Sequence, residues 1–278
     1  MKTFIAALAL LSSGSVLAWG NTGHRVVGEV AAKFLDPHVG YRAHQILKGE
    51  SLARASTWPD EIKSEPANYS HTYSWHYTTW AQDDHEHSEH EETSSTGLLL
   101  TAINQQLAVL SDPKESDDKK AFALRFIVHL IGDVHMPLHV GGGLDQGGNL
   151  CKVSYMGRPY SLHSLWDEGM IDFTNLSFTE LTRFITEGRS VAEISSIQSG
   201  TVVDWAEESK NIVATLYPEN VMAPQDPIST RTYCGREVSP EAVPKLSYQY
   251  AYQFMPIVEQ RLFEAGVRLA MLLNENLK

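Results

Sequence analysis

The run Phe126-Ile-Val-His129-Leu-Ile-Gly-Asp133-Val-His135-Met-Pro-Leu-His139 constrains this chain most. Three histidines and an aspartate fall within eleven residues of an otherwise apolar helical stretch. His129 and Asp133 are four apart, so on a helix they lie about 40° apart around the axis and share a face. Pro137 cannot continue that helix, so His139 comes from the turn beyond its end. A buried face with imidazoles and a carboxylate must satisfy them, and a metal ion does so directly. Core hydrogen bonds would be the ordinary reading of a single such histidine.

The pattern recurs in His163-Ser-Leu-Trp166-Asp167, again a His and an Asp at i, i+4 with apolar residues between. Two pairs plus His139 supply five candidate ligands, more than the four of one tetrahedral zinc site. The count argues for more than one metal. His135, two past Asp133, points off the ligand face and is expected to support the ligands from behind. His38, His44 and His71 are read as ordinary.

The chain begins Met1-Lys2-Thr3, runs uncharged from Phe4 to Leu11, and reaches small residues before Ala18. This is the pattern of an export signal cut after Ala18, leaving Trp19 as the mature terminus. Residues 1–18 are therefore expected to be a signal peptide and 19–278 a single domain of a secreted or periplasmic protein. No later segment reaches the length of a membrane span. Cys151 and Cys234 are the two cysteines; in an exported chain they are expected to pair with each other.

The net charge of −12 rules out a broad basic surface and so speaks against ordinary duplex-DNA binding. A phosphate group held locally by bound cations is compatible with it.

Periodicity predicts an all-α chain. Asn21 to Phe34 carries a helical apolar stripe, as does Thr96 to Leu110. Ser116 with Asp117 and Asp118 marks the start of the central motif helix. Pro240 to Leu277 reads as a long helical stretch open to interruption at Pro244 or Pro256. Asn149 to Tyr155 is the best strand, one arm of a short hairpin. Gly141 to Gly148 lacks the features of a phosphate-binding loop and reads as a flexible turn between the two motifs. Asp83 to Glu92, acidic with three histidines, reads as a solvated loop; a weak accessory metal tract is the other reading.

The chain resembles the zinc-dependent, single-strand-specific nucleases of the S-one/P-one family, related to zinc-dependent phospholipase C. The resemblance rests on Trp19-Gly-Asn-Thr-Gly-His24, Ser56-Thr-Trp58-Pro-Asp60, His76, the Phe126–His139 motif, Gly147-Gly-Asn149 and His163-Ser-Leu-Trp166-Asp167. It implies an all-α, single multi-helix domain of that type with a trinuclear zinc cleft. The ligands implied for the first zinc are Asp60, His76, His129 and Asp133. His139, His163 and Asp167 are implied for the second. The third would take the Trp19 amino nitrogen and carbonyl oxygen, His24 and a bridging Asp133. By itself, Asp60 also reads as a helix N-terminal carboxylate, and His24 as a core histidine.

The function so implied is hydrolysis of single-stranded DNA and RNA to 5′-phosphate products, with a 3′-nucleotidase activity. Asp60 would orient the attacking water or accept its proton. The implied partners are single strands and nucleotides; a monomer with no protein partner is expected. Tyr77 would stack on an unpaired base. Fungal relatives carry an aspartate where Thr79 stands, so this chain departs at the base edge. The alternatives are a phospholipase C, against which Asp167 in place of Glu argues, and a non-catalytic zinc-binding export protein. Asn68 and Asn175 lie in glycosylation sequons.

Overall fold

The computed structural model of the chain describes residues 19–80, 92–218 and 232–277. The expected signal peptide, and the His-rich run up to residue 91, lie outside them. The first half holds α1 (Asn21–Phe34), α2 (Pro37–Ile46) and three single-turn helices, α3 (Leu52–Ala55), α4 (Trp58–Glu61) and α5 (Pro66–Tyr69). Then come α6 (Leu99–Ser111) and α7 (Asp117–His135). A hairpin, β1 (Lys152–Tyr155) and β2 (Arg158–Ser161), leads to α8 (Leu162–Ser164), α9 (Met170–Phe173), α10 (Phe178–Thr186), α11 (Val191–Ile197) and α12 (Val202–Val213). β3 (Lys245–Leu246) and the long α13 (Tyr248–Asn276) complete the chain. The class is all-α.

α7 is the axis of the molecule. Ser116 caps it, accepting from Lys119 N at 3.4 Å, and Asp117 and Asp118 sit where the helix dipole favours anions. From Ala123 onward it is buried on nearly every side except at Arg125, as expected of a helix that is apolar all round. Pro137 ends it by forcing Met136 into extended backbone, φ −86° and ψ 112°. α1 and α13 pack against it and against each other. One connected apolar core joins these helices to Trp166, Trp205 and Leu216.

α1 has the bounds that its apolar stripe predicts. α6 starts three residues later than its stripe suggests. Its first-turn amides at Leu100 and Thr101 donate to the Glu92 carboxylate, at 3.0 and 2.7 Å, from outside the helix. The predicted strand is real but shorter. β1 starts at Lys152, and its two-residue turn, Met156-Gly157, has φ of 49° and 79°, the left-handed geometry of tight hairpins. β3 adds to the other edge of β1 in parallel. Cys151 and Cys234 are joined as a disulfide, S–S 2.01 Å, at the foot of this hairpin. The C-terminal stretch breaks around Pro244 but runs through Pro256. Near that point Tyr252 and Gln253 face solvent, so water can satisfy the carbonyl that proline leaves without a donor.

Candidate metal centre and substrate pocket

Seven elements bring their side chains together around α7. His24 comes from α1, Asp60 from α4, and His76 from the 3₁₀ turn Ser70–His76. His129 and Asp133 come from α7 itself, and His139 from the turn Pro137–His139. His163 lies on α8, and Asp167 on a π-helical turn, Leu165–Gly169, that follows it. Among the described residues, these form three groups able to hold a metal: His24, His129 and Asp133; Asp60, His76 and His129; and His139, His163 and Asp167.

Asp133 is the hub. Its Oδ2 lies 3.2 Å from His76 Nδ1 and 3.3 Å from His129 Nε2, and its Oδ1 lies 3.4 Å from His24 Nε2. Asp60 Oδ1 stands 3.8 Å from His76 Nδ1 and 3.7 Å from His129 Nε2. In the other group Asp167 reaches His139 Nε2 at 3.5 Å and His163 Nε2 at 3.0 Å. Donors about 2.0–2.2 Å from a tetrahedral zinc are separated by about 3.3–3.5 Å, so these spacings match the edges of such a polyhedron. Both oxygens of Asp133 and of Asp167, and Nε2 of His24, His139 and His163, are buried without a hydrogen-bond partner. Unpaired buried carboxylates are costly unless a cation meets them. The donor set fits zinc.

Backbone carbonyls set the ring orientations. His129 Nδ1 donates to Ser56 O at 2.7 Å, His139 Nδ1 to His76 O at 2.5 Å, and His163 Nδ1 to Gly147 O at 2.7 Å. Each bond fixes the tautomer that turns a bare Nε2 toward the centre. His24 stacks on His129 with centroids 3.8 Å apart.

The carboxylates suit cation binding. Burial opposes charge on Asp60, yet His129, Lys63 and His76 hold its carboxyl down at about 2. Asp133 is also held low, since His129 and His76 overcome its burial. Burial, with Lys63 nearby, pushes His76 down to about 4. His139 goes the other way: burial lowers it, but Asp167 brings it up to about 9.

The centre opens into a cavity of about 690 Å³. His76, His139 and His163 form part of its lining, together with Tyr73, Tyr77, Thr79, Gln146 and Asn149. Tyr77 is 36% exposed. Its backbone is held against Gly97, whose φ is +97° and where an added Cβ would stand 2.0 Å from Tyr77 O. Only glycine permits that approach.

The structure brings together all the side chains expected to ligate. Trp19 is buried beside α7, its ring 3.5 Å from a Cβ built on Gly132, and Gly20 N donates to Asp167 O at 2.8 Å. His135 points off the ligand face as expected, but it does not support the ligands. Its Nδ1 bonds Ile131 O and its Nε2 meets Arg268 at 3.0 Å, so it faces α12 and α13, away from the metal ligands. Two residues on, a helix has turned about 200°. The glycine-rich loop is not a loose turn, since Asp145 is buried and Gly147 O holds His163. Lys63 escaped the sequence reading. It lies 2.6 Å from Asp60 Oδ1, and its position three residues after Asp60 was the available signal. His38, His44 and His71, read as ordinary, are exposed.

A family model described as S1/P1 Nuclease matches residues 19–278. The chain is 29% identical to Endonuclease 4 of Arabidopsis thaliana over 291 residues, covering 97% of this chain and 92% of that one. It is 28% identical to Nuclease S1 of Aspergillus oryzae, covering 96% and 94%. Nuclease P1 of Penicillium citrinum is 28% identical, with 92% and 97% covered. With its sequence matched from Trp19 to the last residue and its His/Asp groups assembled at one pocket, the chain belongs to the S1/P1 nuclease family, enzymes that hydrolyse phosphodiester bonds.

Proposed function

We propose that this chain is an exported, zinc-dependent nuclease that cuts single-stranded DNA and RNA to 5′-phosphate products and also removes 3′-phosphates from nucleotides. The observation that carries this reading is the pairing of Asp133-centred donor groups with an aromatic-walled cavity. Three zincs fit the donor set. Asp60, His76, His129 and Asp133 would hold the first. His139, His163 and Asp167 would hold the second. His24, Asp133 and the freed Trp19 terminus would hold the third. When bound, the zincs supply Lewis-acid polarisation of the phosphoryl group and lower the pKa of the nucleophilic water.

The chain's own groups do the rest. Asp60, ionised at neutral pH, would orient the attacking water or accept its proton. Lys63 holds Asp60 in place and adds positive charge at the cavity edge. Tyr77 stacks on a base, and only an unpaired base can reach it. Thr79, uncharged, makes a weaker reader of the base edge than a carboxylate, so base preference is broad. The net charge of −12 fits a substrate gripped at the metals and one base instead of along a duplex.

The family match beginning at Trp19 supports a mature chain that starts there, and no helix among the described residues is long and apolar enough to cross a membrane. The test is zinc content together with hydrolysis of single-stranded DNA, RNA, duplex DNA and phosphatidylcholine. The expected result is three zincs and cleavage of the single strands. Preference for duplex or for lipid would overturn the reading.

A further inference from the structure

The loop Gly141–Asn149 touches both the metal centre and the substrate pocket. Its Gly147 carbonyl receives the proton of His163 Nδ1. Its Gly143, Gln146 and Asn149 line the cavity. Such a loop, with left-handed backbone at Gln146, Gly147 and Gly148 (φ 55°, 58° and 80°), has little regular structure to hold it. It is nevertheless tied down from below. The Tyr217 hydroxyl donates to Asp145 Oδ2, and both residues are buried. Asp145 O accepts from Leu150 N at 3.1 Å, closing the loop back on itself. Tyr217 follows α12, which packs on the turn carrying His139. The hydrogen bond therefore spans 72 residues and joins two parts of the fold that flank one metal group.

We propose that Asp145 and Tyr217 are positioning residues, a buried latch that holds the Gly147 carbonyl where it orients His163. Asp145 is two residues from Gly147. If the latch opens, the 2.7 Å bond to His163 Nδ1 loses its fixed acceptor. The ring is then free to rotate and to change tautomer, and Nε2 no longer faces His139 and Asp167. Outer partners of ligand histidines commonly control metal affinity by 10–100-fold. This inference rests on reading His139, His163 and Asp167 as a zinc site.

The test is a zinc titration of the mature protein against a chromophoric chelator, with the Y217F, D145A and D145N variants. Far-UV circular dichroism first checks that each is folded. Y217F removes one oxygen and keeps the ring, so it preserves packing. In Y217F and D145A one zinc of the wild-type set is expected to weaken about 10–100-fold while the others hold. D145N still accepts the tyrosine proton and is expected to keep wild-type affinity. A second readout is the His163 ring N–H resonance in the folded protein, sharp in the wild type and broadened by exchange in Y217F. Unchanged zinc affinities in both Y217F and D145A, with an unchanged resonance, would overturn the latch alone. Loss in D145N equal to that in D145A would overturn a positional role. A wild-type chain that takes up no zinc would overturn the metal reading and the latch with it.

Discussion

Gly97→Ala isolates the contribution of the stacking wall from that of the metals. Gly97 carries no ligand and lines no metal group. Its backbone faces Tyr77, and an alanine Cβ would fall 2.0 Å from Tyr77 O and 2.8 Å from Tyr77 Cδ2. Real Cβ atoms do not come within 3.0 Å of such neighbours, so the two backbones must part by about 1 Å. The φ of +97° adds strain for any residue with a Cβ. Strain of this kind costs about 1–3 kcal/mol, so a central loss of about 2 kcal/mol is expected. For a domain of this size that lowers Tm by about 4–8 °C. The larger effect is on substrate. Base stacking on an aromatic ring is worth about 1–3 kcal/mol. A tyrosine displaced by about 1 Å loses much of it, so KM for a single-stranded oligonucleotide should rise about 5–100-fold. Zinc content should not change, because His76 is fixed on its far side, where its carbonyl accepts from His139 Nδ1. The assay is steady-state hydrolysis with zinc analysis of the same preparation. A variant with the parent's KM would refute Tyr77 as the platform, and one that loses zinc would refute the separation of wall from metals.

Asp133→Ala should remove two zincs and activity together, because one carboxylate serves both groups; three zincs per chain in that variant would contradict the bridge. A mature chain extended by one residue before Trp19 replaces the terminal amine with an amide, a poor zinc ligand. It should keep its fold, lose one zinc and lose most of its rate, whereas equal zinc and rate would make the terminus a bystander. Glu208 concerns stability and not catalysis. Burial would raise its carboxyl, but hydrogen bonds from Arg268 and Arg261 hold it below its ordinary value. A carboxylate lowered in this way stabilises the fold above about pH 4.5, and that contribution is lost as pH falls through the folded value. Glu208→Gln should therefore lower the urea midpoint at pH 7 and flatten its decline between pH 5 and 3; parallel declines in parent and variant would count against this account.

Much of this molecule was legible before any coordinates. The i, i+4 spacing of His129 and Asp133, and of His163 and Asp167, survives because a helix converts sequence interval directly into a shared face. The helix start at Ser116 and its end before Pro137 follow from local hydrogen bonding and from proline's missing donor. The hairpin was visible in its strand pattern, though its start was not. Cys151 pairs across the ladder to Cys234, more than 80 residues away, before β1 begins at Lys152.

Other features could be decided only by the fold. Spacing alone turns His135 off the ligand face, but that it meets Arg268 and Trp205 there depends on how distant helices pack. The carbonyls of Ser56, His76 and Gly147 orient the ligand rings, and every residue type has a carbonyl, so side-chain pattern carries no trace of them. The contact of Tyr217 with Asp145 joins two loops whose sequences say nothing of each other. The sequence by itself determined which chemistry the chain can carry, because helical period and ligand type are local properties. Tertiary structure decided which carbonyl, lysine and tyrosine stand behind each ligand, because those partners are chosen by packing between segments far apart along the chain.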